Sequence, residues 1–230
     1  EAIQTLKNNG YEPFIATGRS PAETRDIMES ANIHSGIFMN GQVVLYQGER
    51  VYSSEIPTET VERFHQMVKE DGYGLTAYND KEFYLVESSA GAKDAYGFIH
   101  TNPPALKEDF YKENPVNMLL FICLPPAEEK YKEAFPHLDF LRNTPYSVDV
   151  ITKGNSKAEG IKRFLEYLNQ EDAKTFAFGD GPNDIEMLQA VQHPVAMGNA
   201  LPILKEIAEF VTTDNTDNGI VNGLKHYGLI

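Results

Sequence analysis

The sequence contains a single cysteine, Cys123, in 230 residues. One thiol excludes an intrachain disulfide and fits a reducing compartment. Cys123 lies in the apolar run 118–124, where it reads as buried strand filler rather than a nucleophile. Basic residues are also scarce, 20 Lys and Arg against 34 Asp and Glu, for a net charge of −14. That balance argues against nucleic acid or an anionic membrane as the main partner. No apolar run approaches membrane-spanning length and no signal peptide is evident, so the expected location is cytoplasmic. Low-complexity segments and internal repeats are missing. The 6 histidines show no metal-ligand spacing, and no GxGxxG or Walker loop occurs. Residues 214–219 mimic a calcium loop, but Thr216 stands at a ligand position and Lys225 replaces the bidentate acid.

What is present suits a packed core. With 41% hydrophobic and 23% charged residues, the chain has material for one large α/β domain or two modest ones. The stretch Lys174-Thr175-Phe176-Ala177-Phe178-Gly179-Asp180-Gly181-Pro182-Asn183-Asp184 is the most informative. A short apolar run suits a buried strand, Gly179 and Gly181 mark a turn, and Pro182 pre-sets a first helical position. Asp180 and Asp184 stand four residues apart, so a turn entering a helix brings both carboxylates near one point. A hard divalent ion, most simply Mg²⁺, would relieve their repulsion. A solvated acidic helix start, favoured by the helix dipole, accounts for the same spacing. On this stretch alone both readings stand.

The remaining pattern alternates. Residues 1–10 read as the later turns of an amphipathic helix closing on Gly10, with no N-cap residue before them. The sequence is therefore expected to open inside an element. A strand over 11–16 leads to Thr17-Gly18-Arg19, and Ser20-Pro21-Ala22-Glu23 is a capping box opening a helix to about 31. A strand over 36–39 and a hairpin around Gly48 follow. Residues 54–147 change character, with hairpins, helices and strands that predict a small mixed sheet with helices on one face. A second capping box, Ser156-Lys157-Ala158-Glu159, then restores the alternation. The expected architecture is α/β: a Rossmann-like parallel-sheet core over 1–53 and 148–230, with an inserted α+β cap over 54–147. The first and last portions should form one parallel sheet.

Strands of a parallel sheet end at a common edge, where ligands bind. Thr17 and the Gly18 amide, Lys157 at a helix start, and Asp180 with Asp184 should all reach that edge. Hydroxyl, amide, ammonium and paired carboxylates together would hold phosphate beside Mg²⁺. Singly, each has a plain structural explanation: a strand end for Thr17, a solvated helix start for Lys157.

Ile15-Ala16-Thr17-Gly18-Arg19, Ser156-Lys157-Ala158-Glu159-Gly160 and Phe178-Gly179-Asp180-Gly181-Pro182-Asn183-Asp184 resemble the second, third and fourth motifs of the haloacid dehalogenase superfamily of phosphatases. The insertion after Asn40-Gly41 and the run Val195-Ala196-Met197-Gly198-Asn199-Ala200 resemble its Cof-like branch, which carries a large α/β cap. The superfamily's first motif, Asp-x-Asp, is absent from this sequence, and its place would be upstream of Glu1.

The resemblance implies a Mg²⁺-dependent hydrolase of small phosphomonoesters, sugar phosphates foremost, working through an aspartyl-phosphate. The missing motif would supply nucleophile and general acid/base. Asp180 would ligate Mg²⁺, with Asp184 as ligand or support, and Lys157 would offset charge between nucleophile and phosphate. Thr17, Gly18 and Asn183 would hold phosphate oxygens, and Arg19 and Asn40 would face the site, though Arg19 could pair with an acid and Asn40 could simply favour a tight turn. Arg142 with Asn143 are candidates for substrate contact, against the plainer reading of an exposed strand end. Cap closure would exclude water. The expected partner is a small phosphorylated metabolite, on a monomer or weak homodimer. Two alternatives remain: a non-catalytic phosphate-binding or regulatory protein, and a phosphosugar mutase.

Overall fold

The computed structural model describes residues 1–230, with the side chain of Asn143 outside the described residues. The substrate-contact expectation for Asn143 therefore lies outside them as well. In chain order, α1 (Ala2–Asn8), β1 (Phe14–Ala16), α2 (Pro21–Ala31), β2 (Ser35–Phe38), β3 (Val43–Tyr46) and β4 (Glu49–Ser53) come first. The middle third holds α3 (Thr58–Asp71), β5 (Gly74–Tyr78), β6 (Phe83–Glu87), α4 (Ala92–Phe98), α5 (Phe110–Glu113), β7 (Met118–Ile122), α6 (Glu128–Ala134), β8 (Leu138–Thr144) and β9 (Ser147–Thr152). The chain ends with α7 (Lys157–Leu168), β10 (Phe176–Gly179), a 3-10 turn (Pro182–Asp184), α8 (Ile185–Ala190), β11 (His193–Ala196), α9 (Pro202–Ile207), β12 (Phe210–Val211) and α10 (Gly219–His226). Among the described residues no helix is long and apolar enough to cross a membrane.

Contacts divide the chain into two units, Glu1–Thr17 with Arg25–Tyr52 and Ser156–Ile230, and Gly18–Thr24 with Ser53–Asn155. In the first, α1 closes as its sequence predicts: Gly10 takes φ +88° and the Tyr11 N–H reaches back to the Leu6 carbonyl at 3.2 Å. The strand β1 pairs parallel with β2, in the register Phe14↔Ser35, Ile15↔Gly36 and Ala16↔Ile37. A two-residue turn of Gln47 and Gly48, both with positive φ, sends β3 back as β4. β10, β11 and β12 form a separate parallel ladder.

The expected single sheet is thus observed as two, in the orders β1-β2-β3-β4 and β10-β11-β12. The physical reason is pairing: no described strand bonds to both β1 and β10, and Phe14, Ile15 and Ala16 of β1 are only half-buried. α7 still serves both sheets. Its Ile161 packs with the Ile37–Val44–Phe164 cluster and also with the cluster built on Ala177 and Leu188.

The second unit is a five-stranded sheet, β6-β5-β7-β9-β8, whose strand ladders are all antiparallel. Because β9 pairs with both β7 and β8, Ser147–Thr152 belongs to this unit, which runs to Asn155 rather than stopping at 147. Helices also cover both faces instead of one. Leu75 and Ala77 of β5 pack with Val61, Phe64 and Val68 of α3 and Tyr131 of α6. The alternate residues Thr76 and Tyr78 meet α4, where the Tyr96 hydroxyl lies 2.8 Å from Thr76 Oγ1 and 2.9 Å from the Tyr78 hydroxyl. The period of two along a strand separates these sets. Phe64 anchors the larger core, with ring centroids of Phe121, Tyr131 and Phe135 between 5.0 and 5.5 Å away. Cys123 is buried here, and burial pushes its thiol pKa up to about 11, so it is unreactive filler at neutral pH.

Candidate phosphate and metal site

A closed circuit of contacts within the first unit joins most of the residues singled out above. Thr17 follows β1; its N–H donates to the Ile37 carbonyl at 2.9 Å, and its own carbonyl accepts from the Asn40 N–H at 3.2 Å. Met39, Asn40 and Gly41 take successive positive φ values of 49°, 54° and 92°. Such strain in non-glycine residues persists only where the surroundings enforce it, and it concentrates at functional sites. Asn40 is buried, and its Oδ1 accepts from Asn183 Nδ2 at 3.1 Å. Gly41 lies against the Ser156 backbone so closely that a Cβ there would stand 2.1 Å from the Ser156 carbonyl oxygen.

Ser156 caps α7, its hydroxyl accepting from the Glu159 N–H at 3.2 Å, as the capping box predicts. That cap places Lys157 at the first helical position. Its side chain is 6% exposed and its Nζ donates to Asp184 Oδ1 at 2.6 Å. Asp184 Oδ2 accepts from the Asp180 and Gly181 N–H groups, each at 3.0 Å. From Thr17 through Asn40, Asn183, Asp184 and Lys157 to Ser156 and back to Gly41, the circuit closes.

The two carboxylates are consequently unlike. Asp184 is buried, and one of its oxygens accepts from an ammonium and the other from two backbone amides. It braces Lys157 and the turn. Asp180 is exposed, and Asn199 Nδ2 donates to its Oδ2 at 2.8 Å. Among the described residues no cluster of three or more His, Cys, Asp or Glu could hold a metal. Mg²⁺ does not need one, because it keeps several waters and takes one or two carboxylates plus phosphate oxygens. Asp180 fits as one such ligand.

Gly18 and Arg19 follow Thr17 directly and are grouped with the second unit, along with the capping box of α2, in which Ser20 Oγ and Glu23 Oε2 lie 2.8 Å apart. Their covalent link to Thr17 is what ties them to the circuit.

Arg142 lies in the second unit, held by its own neighbours. Its guanidinium pairs with Glu128 through Nε and Nη2, each at 2.7 Å, while Nη1 donates to the carbonyls of Cys123, Thr144 and Pro145. Donors so committed brace α6 against the β8–β9 turn. The guanidinium also holds the Glu128 carboxyl below its usual range. A carboxylate whose folded pKa is lowered stabilises the fold above its unfolded pKa, and that contribution is lost as pH falls through the folded value. Glu128→Gln is therefore expected to cost about 2 kcal/mol at pH 7. Its deficit against wild type in urea unfolding should shrink as pH falls below the usual carboxylate range.

Two participants had weak signals in the sequence. Gly41 stands out only as the residue after Asn40 at the start of the insertion, and Asn199 only as part of a run that resembles the Cof-like branch.

A profile of haloacid dehalogenase-like hydrolases matches residues 1–224. YkrA of Bacillus subtilis, named as a candidate phosphatase, is 36% identical over 231 residues, which cover 100% of this chain and 90% of that protein. A crystal structure from Geobacillus kaustophilus superposes with a TM-score of 0.93 at 32% identity, covering 100% of this chain and 90% of that one. A sugar phosphatase of subclass IIB of the superfamily superposes at 0.84 with 28% identity and the same coverage. The chain belongs to the haloacid dehalogenase-like hydrolases, whose Cof-like branch its motifs resemble.

Proposed function

We propose that this protein is a Mg²⁺-dependent hydrolase of small phosphomonoesters, with sugar phosphates as the leading substrate class. The observation that carries the reading is the circuit itself: a buried lysine, an exposed carboxylate and two strand ends gathered at one rim. Likeness to a sugar phosphatase supports the substrate class.

In this reading the nucleophile is an aspartate of an Asp-x-Asp motif upstream of residue 1, at the end of the superfamily's first strand. One of its carboxylate oxygens attacks phosphorus, the bond to the leaving oxygen breaks, and the motif's second aspartate gives that oxygen a proton. Water then attacks phosphorus and surrenders a proton to the same aspartate, releasing inorganic phosphate and restoring the carboxylate. Thr17 and the Gly18 amide hold phosphate oxygens, Asn183 contacts the same group, and Lys157 balances the charge of nucleophile and phosphate. Bound Mg²⁺ would offset phosphate charge, with Asp180 among its ligands.

The test is a phosphate-release screen of the full-length protein across sugar phosphates, with and without Mg²⁺. Mg²⁺-dependent turnover supports the proposal, and the 230-residue chain alone should release none. Tight phosphate binding without turnover in the full-length protein would replace it with a binding or regulatory role.

A further inference from the structure

We propose that Asn199 is a positioning residue, which fixes the rotamer of the Asp180 carboxylate and ties it to the loop ahead of α10. The inference rests on the proposed role of Asp180 as a cation ligand. An exposed aspartate on a turn rotates freely about its side-chain torsions, and any ion it binds must bear the entropy of ordering it. Here one oxygen is already held. Asn199 Nδ2 donates to Asp180 Oδ2 at 2.8 Å, while Asn199 Oδ1 accepts from the Asn215 N–H at 3.2 Å. The two bonds fix the amide's orientation, because reversing it would set oxygen against carboxylate and N–H against N–H. Asn199 thus supplies a donor where an aspartate would repel and an alanine would leave Asp180 loose.

The support behind Asn199 is extensive. Its loop is strapped to the Asp180 turn by Met197 N–H to the Gly179 carbonyl at 3.0 Å and Leu201 N–H to the Asp180 carbonyl at 3.2 Å. On the other side, Gly198 N–H donates to the Thr213 carbonyl at 3.0 Å, and a Cβ on Gly198 would stand 2.5 Å from the Asp214 nitrogen. The loop organises itself, with Asp214 Oδ1 accepting from the Thr216 N–H and hydroxyl at 2.9 and 2.8 Å. Asn222 braces it from α10, donating to Thr213 Oγ1 at 2.8 Å and to the Asp217 carbonyl at 3.2 Å. The stretch that mimics a calcium loop in sequence therefore acts as a buttress for a carboxylate on a neighbouring turn.

The experiment measures Mn²⁺ affinity directly, by electron paramagnetic resonance of the free ion, on the full-length protein and three variants. Asp180→Asn should bind Mn²⁺ far more weakly than wild type. Asn199→Ala should lose about 10-fold in affinity, the usual cost of removing a group that orients a ligand. It should also need correspondingly more Mg²⁺ for half-maximal phosphate release, with kcat at saturating metal changed less. Asn222→Ala loosens the same loop without touching Asp180, so it should lower thermal stability and keep Mn²⁺ affinity within about twofold of wild type. Wild-type affinity in Asn199→Ala, with Asp180→Asn impaired, overturns this inference and leaves the proposed function standing. An equal loss in Asn222→Ala also overturns it, since loop integrity rather than carboxylate orientation would then set affinity. Wild-type affinity in Asp180→Asn overturns the cation reading itself.

Discussion

Replacing Lys157 with alanine in the full-length protein is expected to lower phosphate release by about 10³-fold or more, the scale on which a group stabilising developing charge acts. The same change should reduce stability. The Lys157 and Asp184 side chains are 6% and 8% exposed and meet at 2.6 Å. Removing one partner of a buried pair leaves the other charge uncompensated and typically costs about 3–5 kcal/mol. Two backbone N–H groups still serve Asp184 Oδ2, so the lower end of that range is the expectation. Chemistry and stability must therefore be read separately. Urea unfolding reports the second, and kcat measured well below the unfolding midpoint reports the first. Asp184→Asn sharpens the division, because it removes the pair's negative partner while keeping the lysine. If Lys157 acts on phosphate, Asp184→Asn should retain more activity than Lys157→Ala at equal stability loss. Activity within about tenfold of wild type in Lys157→Ala would remove the lysine from the chemistry and reduce the circuit to a structural joint.

The amino-acid sequence made the local features of this site legible, and its non-local ones much less so. Ser156 and Glu159, or Ser20 and Glu23, sit three apart and declare helix starts through hydrogen bonds that a short segment makes with itself. Gly179 through Asp184 declares its turn in the same way. What spacing could not tell was the surroundings of Asp180 and Asp184: proximity follows from the interval of four, but which carboxylate is buried and paired depends on a lysine 27 residues away. Arg142 read as an exposed strand end because its partner, Glu128, stands on another element. Likewise the sheet orders follow from pairings between distant segments, so one sheet was expected where two are found. The short helix Phe110–Glu113 gave no periodic signal, having barely one turn in which to show one.

Gly41→Ala is expected to be the most damaging single-methyl change in the first unit. Two penalties combine at this position. Its φ of +92° lies where a β-carbon is strained, at a cost of about 1–2 kcal/mol. The added carbon would also stand 2.1 Å from the Ser156 carbonyl oxygen and 2.8 Å from its carbon, both backbone atoms that no rotamer change can move. Overpacking of this kind costs about 1–3 kcal/mol where the surroundings yield, so the sum is roughly 2–5 kcal/mol. Gly10→Ala separates the two contributions, because Gly10 has φ +88° but nothing within 4 Å of its would-be Cβ. It should show the strain penalty alone, about 1–2 kcal/mol in urea unfolding. The functional consequence follows from geometry: relief of the clash must push Ser156 away from Gly41, and Ser156 caps the helix that begins with Lys157. A displaced cap moves the ammonium relative to Thr17 and Asn40, so phosphate release should fall in Gly41→Ala even at temperatures where the protein stays folded. Equal urea midpoints for Gly41→Ala and Gly10→Ala would mean that α7 does not start against the Asn40–Gly41 turn, and the circuit on which the site depends would be open.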